Sequence, residues 1–503
     1  MKPIPKPISY LFPSLRNIFF LVVFLAVLRQ GNQMLNADGD LGHHLAMGRL
    51  ILDSRIISHT DPFSFRTEGV AAIPHEWLVQ SSYALLDSWF GLTGIVVFSA
   101  LVLALAFTLV LGEATRCSGS LLAGLVLASL AMAASAMHWI TRPHLVTYLL
   151  LAIWVFRLDA FFRGEERRWW IFPSLMLVWA NLHGMFILGL LAFAISLAGW
   201  VWERWLEGRE SSVSGRGLLL LGLFSTLATF LTPSGFHLWQ TIFTLAGGSP
   251  FITSMTAEYQ PPDFHNPGTW PFLILLGAIL ATAALSGRKL GMARALQLAG
   301  WTLIGLYSAR NIPLAAIVLA PIGAQLLAAW FKESPALAGL VNFSRKLERV
   351  ERDLRGWAWA ASGVTLCVIL LWAGVSLDRT ARPYQFLPEQ FPVAAVDWLG
   401  ENPPTGRMFN EFDWGGYLLY RLWPAQKIFM DGHTHIYGDD LSREYVAVMS
   451  RAQGWEEILE KYQTEWAILR ADNPLALALR EAGWREVYRD ETTIIFIRSW
   501  SQL

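Results

Sequence analysis

Two carboxylates and two imidazoles stand close together in the chain, at Asp38, Asp40, His43 and His44. They follow an apolar stretch, residues 18–35, that is long enough to cross about 30 Å of hydrocarbon. Ionisable groups at such a depth are costly and are typically functional. Because a carboxylate pair at the lipid boundary suits chemistry on a lipid-linked substrate, Asp38 and Asp40 are the leading candidates for an active site.

Further unusual polar groups occur in loops that the same topology places on one side of the membrane. The loops on the other side of the membrane have the basic composition of ordinary connecting loops. The clusters on the candidate side are His75-Glu76-Trp77, Thr141-Arg142-Pro143-His144, Asn181 with His183 and Gly184, Glu258 with Tyr259 and Asp263, and Ser308 with Arg310 and Asn311.

The elements that must position these groups are mostly membrane helices. The 503 residues are 54% hydrophobic and 16% charged, with a mean hydropathy of +0.40, which excludes an ordinary soluble chain. Nothing in the sequence supports a nucleic-acid partner. Apolar runs predict a polytopic α-helical protein with about eleven spans, near residues 18–35, 92–112, 120–138, 145–161, 169–182, 185–203, 216–233, 270–286, 295–309, 312–331 and 357–377.

Cations predict the orientation of these spans. The loops on the side of the N-terminus collect most lysines and arginines, whereas the opposite loops between spans hold only Arg55, Arg66, Arg142 and Arg310. The positive-inside rule therefore places the N-terminus in the cytoplasm. An odd number of spans then leaves residues 378–503 outside.

Two regions outside the spans have distinct patterns. The first outer loop, residues 37–91, contains two amphipathic stretches, 41–52 and 76–90, which we expect to lie along the membrane interface. Residues 1–377 are thus predicted to form a membrane domain, and residues 378–503 an extracytoplasmic α/β domain. Its predicted helices lie near 390–400, 440–462 and 474–483, and its strands near 407–410, 427–430, 465–470 and 492–498.

This arrangement resembles the GT-C superfamily of membrane glycosyltransferases, and more closely a group of largely uncharacterised bacterial GT-C-like proteins. The resemblance covers most of the chain and implies a multi-pass protein of the bacterial inner membrane. The motifs that carry it are Asp38-x-Asp40-x-x-His43-His44, His75-Glu76-Trp77, Asn181-x-His183-Gly184 and Trp414-Gly415-Gly416-Tyr417 followed by Asp431-Gly432.

The resemblance implies a transferase that takes a sugar from a polyprenyl-phosphate donor and passes it to a lipid, glycan or protein acceptor at the outer face. Asp40 or Asp38 would accept the acceptor's proton during an inverting attack. Arg310 or Arg142 would balance the charge of the leaving phosphate. The other substrate-binding candidates are His43, His44, Glu76, His144, Asn181, His183 and Glu258.

No cofactor is firmly implied. A divalent cation such as Mg²⁺ or Mn²⁺ is an option, held by Asp38, Asp40 and His44. The chain departs here from the superfamily pattern, because its next outer loop offers Thr141-Arg142-Pro143-His144 instead of a second acidic motif.

Structural interpretations compete with these roles. Asp38 and Asp40 suit a turn or helix cap, and Glu76 also suits a cap. Arg142 suits snorkelling from a span end. Asn181 and His183 suit a tight helix junction, and Asp431, His433 and His435 suit either a turn or a binding site.

Two other functions stay open from the sequence. One is a transporter or flippase for a lipid-linked saccharide, although the chain lacks clear paired halves. The other is a non-catalytic envelope assembly factor, for which Asp40 would be dispensable.

Overall fold

The structure is a computed structural model that describes residues 6–247, 250–354, 356 and 358–498. Residues 1–5 of the predicted membrane domain and residues 499–503 of the predicted C-terminal domain lie outside this part. Residue 357, where the last predicted span begins, lies outside it as well. The described chain up to residue 377 is helical, and its helices are α1 (Lys6–Leu11), α2 (Leu15–Arg29), α3 (Gly31–Leu35), α4 (Asp40–Ser54), α5 (Trp77–Ser118), α6 (Leu121–Ser135), α7 (Leu145–Phe162), α8 (Ile171–Leu182), α9 (Phe186–Trp205), α10 (Gly215–Ala228), α11 (Phe236–Gly247), α12 (Pro250–Met255), α13 (Trp270–Leu285), α14 (Met292–Tyr307), α15 (Ile312–Glu333), α16 (Ala338–Asp353) and α17 (Ala358–Trp372).

Seven helical segments of the described chain are long and apolar enough to cross a membrane, or eight if α16 and α17, bent by 76°, count as one span. The protein is therefore a multi-pass membrane protein. The seven segments are Ser9–Arg29, Trp77–Ser118, Leu121–His138, Leu145–Phe162, Phe186–Trp205, Pro267–Leu285 and Ala309–Glu333.

This number is lower than the eleven spans expected from hydropathy. Each predicted segment does contain a helix, but α8, α10 and α14 have only 12, 14 and 16 residues. At 1.5 Å per residue they are roughly 18–24 Å long, which is shorter than the hydrocarbon layer.

The outer-loop helices also differ from expectation. The predicted interfacial stretch 76–90 and the second predicted span are two helical segments of α5, which meet at Gly91, where the backbone is non-helical with a φ of 61°. The stretch 41–52 does form a helix, α4, but residues 41–48 of that helix are all buried. The polar side chains of this part of α4 therefore contact other parts of the protein, whereas we expected one side of the helix to be exposed.

The C-terminal part forms a small α/β unit. Its sheet has the order β1-β2-β4-β3, with β1 and β2 parallel and the other pairs antiparallel. Its elements are α18 (Val393–Glu401), β1 (Arg407–Asn410), α19 (Gly415–Leu422), α20 (Thr434–Met449), α21 (Trp455–Lys461), β2 (Thr464–Arg470), α22 (Leu475–Glu481), β3 (Arg485–Arg489) and β4 (Thr493–Ile497).

One strand prediction in this unit was wrong, and one strand was missed. The segment 427–430 is not a strand, because its backbone makes only an isolated bridge from Ile428 to Ser64 of the outer loop. The missed strand β3 lies at the sheet edge and is half-buried, so that its sequence lacks a clear apolar alternation.

Glycines bring α19 directly against α4. A Cβ at Gly42 would collide with the carbonyl of Gly416, and a Cβ at Gly416 would collide with the carbonyl of Gly39. The approach is thus backbone to backbone. Since α4 also packs along α5, it lies between the membrane helices and the C-terminal unit.

Substitution of Gly42 by alanine tests this packing. Gly42→Ala is expected to lower the free energy of unfolding by about 1–3 kcal/mol, because a methyl group must displace the backbone of α19. The control is Gly277→Ala in α13, where a Cβ meets open space and helix propensity improves. Thermal unfolding in detergent compares the two, and equal melting temperatures would contradict the contact.

Candidate active site

Polar side chains from separate loops converge at one end of the helix bundle. This is the end where α4, α5, α7 and α15 begin and where α6 and α8 finish. The loops between these helices bring together most of the residues that the sequence singled out. The opposite end, where α5 and α7 finish, carries a different set of ion pairs, around Asp159.

Arg142 joins the two aspartates at the start of α4. Its Nε atom lies 2.8 Å from Asp38 Oδ2, and one Nη atom lies 2.9 Å from Asp40 Oδ2. Asp38 also accepts a 2.9 Å hydrogen bond from the backbone N–H of Asp40. The guanidinium thus forms ion pairs with both carboxylates.

The environment of Asp40 changes its acidity. Burial raises the pKa of Asp40 to about 7, although the charge of Arg142 opposes the shift, and Asp38 and Asp431 add to it. Gly432 leaves the necessary room, because a Cβ there would collide with the Asp40 carboxylate. A carboxyl group with this pKa exchanges its proton near neutral pH.

Glu258 lies between two guanidiniums. Its Oε1 atom is 3.7 Å from Arg142 and 3.8 Å from Arg310, distances longer than a hydrogen bond. Arg310 instead donates a 2.9 Å hydrogen bond to the hydroxyl of Tyr259. These two cations hold the pKa of Glu258 below its usual range, against the effect of burial.

Glu76 is the centre of a cluster of imidazoles. Its Oε1 atom lies 3.1 Å from His183 Nε2 and 3.7 Å from His75 Nε2, and its Oε2 atom lies 3.6 Å from His44 Nδ1. Burial acts to raise the pKa of Glu76, but the imidazoles outweigh it and hold that pKa well below the usual range. Burial lowers the pKa of His44 to about 3.

The C-terminal unit supplies a further carboxylate and imidazole. Asp431 Oδ2 lies 2.6 Å from His43 Nδ1, with both side chains buried. The ring of His433 stacks on His43, with 3.5 Å between the ring centroids. Asp431 raises the pKa of His43, although burial opposes the shift.

The predicted site residues divide into two groups. His144 bonds the carbonyl of His138, and Asn181 bonds the indole N–H of Trp77, so both connect helices. The other predicted residues lie in the connected clusters described above. Those residues are Asp38, Asp40, His43, His44, Glu76, Arg142, His183, Glu258 and Arg310.

The sequence left Asp431 and His433 open between a turn and a binding site, and the structure brings both beside α4. The sequence carried a signal for them, since Asp431-Gly432-His433 repeats the residue types of the Asp38 motif. Their distance along the chain hid the contact, because only the packing of α19 on α4 brings the two motifs together.

The residues proposed from sequence to hold a divalent cation do not fit one. The guanidinium of Arg142 occupies the position between Asp38 and Asp40 that a cation would take. His44 turns away from the pair toward Glu76. A cation held by Asp38, Asp40 and His44 would have to displace a strong ion pair.

Several solved structures have a similar fold. ArnT from Cupriavidus metallidurans, in a crystal structure with bound undecaprenyl phosphate, aligns over 95% of this chain and 97% of its own, with a TM-score of 0.50 and 15% identity. The Archaeoglobus fulgidus oligosaccharyltransferase aligns over 96% of this chain and 74% of its own, with a TM-score of 0.59 and 13% identity in its apo form. The same enzyme tethered to an acceptor peptide with the NVT sequon gives 0.57 and 12%.

No protein-family model and no curated protein matches the sequence. The structural similarity nevertheless extends over nearly the whole chain. The protein therefore has a GT-C-like fold, shared with ArnT and with the archaeal oligosaccharyltransferase, and a small C-terminal sheet unit.

Loss of Arg142 tests the ion-pair arrangement. Arg142→Ala is expected to destabilise the protein by roughly 3 kcal/mol, because two carboxylates lose their shared counter-charge. Arg142→Lys should recover only part, since a single ammonium cannot bond both carboxylates as the fork does. Chemical unfolding in detergent measures the effect against exposed Arg288→Ala. A loss no larger than that of the control would contradict the arrangement.

Proposed function

We propose that this protein is an inverting membrane glycosyltransferase, which moves a sugar from a polyprenyl-phosphate donor to an acceptor at the extracytoplasmic face of a bacterial inner membrane. One observation carries the proposal. Asp40 lies in the same polar cluster as two guanidiniums, those of Arg142 and Arg310, at one end of a GT-C membrane bundle.

Each charged group of this cluster has a role in the proposed reaction. An acceptor oxygen forms a bond to the anomeric carbon while the bond from that carbon to the phosphate oxygen breaks on the opposite face. The polyprenyl phosphate leaves with the bonding electrons, and the acceptor proton passes to Asp40. Configuration at the anomeric carbon is therefore inverted.

The acidity of Asp40 suits a general base. A pKa of about 7 keeps a large fraction ionised at neutral pH and still gives a carboxylate basic enough to take a proton. Asp38 supports it, because it bonds the Asp40 backbone N–H and shares Arg142. The guanidinium fixes the direction of the Asp40 carboxylate.

Arg310 suits the leaving phosphate. Its contact with Glu258 is too long for a hydrogen bond, and its side chain is 27% exposed. A phosphate oxygen offers this guanidinium a shorter and stronger partner. The fold shared with ArnT, crystallised with undecaprenyl phosphate, favours the same class of donor.

The substitution Asp40→Asn tests the base. It keeps the shape of the side chain but cannot take a proton, so transfer should fall by about 10²–10⁴-fold with donor binding retained. The assay follows radiolabel leaving a panel of polyprenyl-phosphate sugars in nanodiscs with a cell-lipid extract. Exposed Asp263→Asn is the matched control.

The pH dependence gives an independent test of the same base. Only ionised Asp40 accepts a proton, so wild-type transfer should rise as pH increases through about 7. Donor binding without turnover in the wild type, across a broad acceptor panel, would favour a transporter or an assembly factor instead.

The substitution Arg310→Ala tests the phosphate site. The loss of a charge-assisted contact should raise the KM for the donor about 10- to 100-fold. Arg310→Lys, which keeps the charge, should recover part of this loss, and exposed Arg288→Ala should have no effect. An unchanged donor KM with a lower melting temperature would make Arg310 a structural residue only.

A further inference from the structure

Three side chains beside the proposed base have the spacing of metal ligands. One donor atom each from His44, Glu76 and His433 lies within 4.8 Å of the other two. His44 Nδ1 and Glu76 Oε2 are 3.6 Å apart, longer than a hydrogen bond. Tetrahedral Zn²⁺ with bonds of about 2.0–2.1 Å separates its ligands by roughly 3.3 Å, so small side-chain shifts would close the site.

The ring orientations allow the nitrogens to meet at one ion. The His44 and His433 rings are nearly perpendicular, at 78°, with 5.3 Å between their centroids. An imidazole binds a metal in its ring plane through a nitrogen lone pair. Two perpendicular rings in contact can direct these lone pairs at a common point.

A buried polar atom in the same cluster, His433 Nδ1, has no hydrogen-bond partner within the described chain, because Asp431 Oδ2 lies 3.9 Å away. Such an atom is costly when unpaired, and a bound ion is one explanation of it. Gln80 contacts His44 Nδ1 at 3.2 Å through its amide nitrogen, and its Oε1 atom is unpartnered in this orientation. Rotation of the amide by 180° would direct the oxygen toward His44 instead, where it suits a fourth ligand.

The second oxygen of Glu76 is already held in place. His183 Nε2 lies 3.1 Å from Glu76 Oε1, and His183 Nδ1 lies 3.0 Å from the hydroxyl of Thr147. Outer hydrogen bonds of this kind orient the ligands of a metal. They leave Glu76 Oε2 directed at His44.

Two other clusters of possible ligands fit less well. His43 and His433 flank Asp431, but their rings are stacked with only 14° between planes, so their lone pairs run parallel and do not converge. At the opposite end of the bundle, Glu113 and Asp159 are paired with arginines.

We infer that His44, Glu76 and His433, with Gln80 as the fourth ligand, form a binding site for a transition-metal ion of the Zn²⁺ class. Imidazole donors select such an ion over Mg²⁺. The ion would tie the C-terminal loop that carries His433 to the starts of α4 and α5, beside Asp40. The site does not depend on the proposed transfer reaction.

Metal content is the direct test. The full chain in phosphatidylglycerol nanodiscs is stripped with EDTA, then titrated with ZnCl₂, and the bound metal is measured by plasma mass spectrometry alongside the melting temperature. We expect one Zn²⁺ per chain and a higher melting temperature, because an ion that binds only the folded state stabilises it. MgCl₂ should not compete. Substitution by Co²⁺ should give the visible absorption of a tetrahedral site.

The variants locate the ion. His44→Ala and His433→Ala should each weaken Zn²⁺ binding more than about 100-fold, while exposed His265→Ala should not change it. A variant is compared with the wild type only if it elutes as a single folded species. If an alanine variant does not elute in this way, the milder substitution Glu76→Gln is measured in its place. A folded wild type that binds no Zn²⁺, or folded ligand variants that bind it normally, would overturn the inference. Loss of Zn²⁺ in Asp38→Asn instead would also overturn it.

Discussion

The close approach of α4 and α19 is the contact on which the rest of the site depends. It is possible only because Gly42 and Gly416 carry no side chain where the two backbones meet. The same approach brings Asp431 within hydrogen-bond distance of His43 and sets Gly432 against the carboxylate of Asp40. Two segments separated by nearly four hundred residues thereby share one polar centre.

Burial is the main cause of the raised pKa of Asp40, and the excess of negative charge in that centre acts in the same direction. Three carboxylates, from Asp38, Asp40 and Glu258, face the two guanidiniums of Arg142 and Arg310. One negative charge is thus left without a counter-charge in a poorly solvated place, where it is costly. Asp40 has the least exposed side chain of the three, at 14%, which agrees with burial as the main cause of its raised pKa.

The sequence was a good guide where the signal is local. Hydropathy located helices at every predicted segment. The motif around Asp38 and Asp40 pointed to the end of the bundle where the polar side chains converge, because the order of the helices determines on which side each loop lies. The sequence failed where tertiary contacts decide. The burial of α4 depends on α19, and the pairing of Arg142 with both aspartates depends on a loop from another hairpin.

The C-terminal unit is part of the site rather than an appendage to it. The side chain of Arg66, from the first outer loop, lies over the ring of Phe429 and donates to the carbonyl of Leu441. The segment before the unit is bonded to the membrane part as well, through Tyr384 and the carbonyl of Leu28. Asp431, which belongs to this unit, raises the pKa of His43 and adds to the raised pKa of Asp40. The C-terminal unit therefore contributes to the acidity of the polar centre.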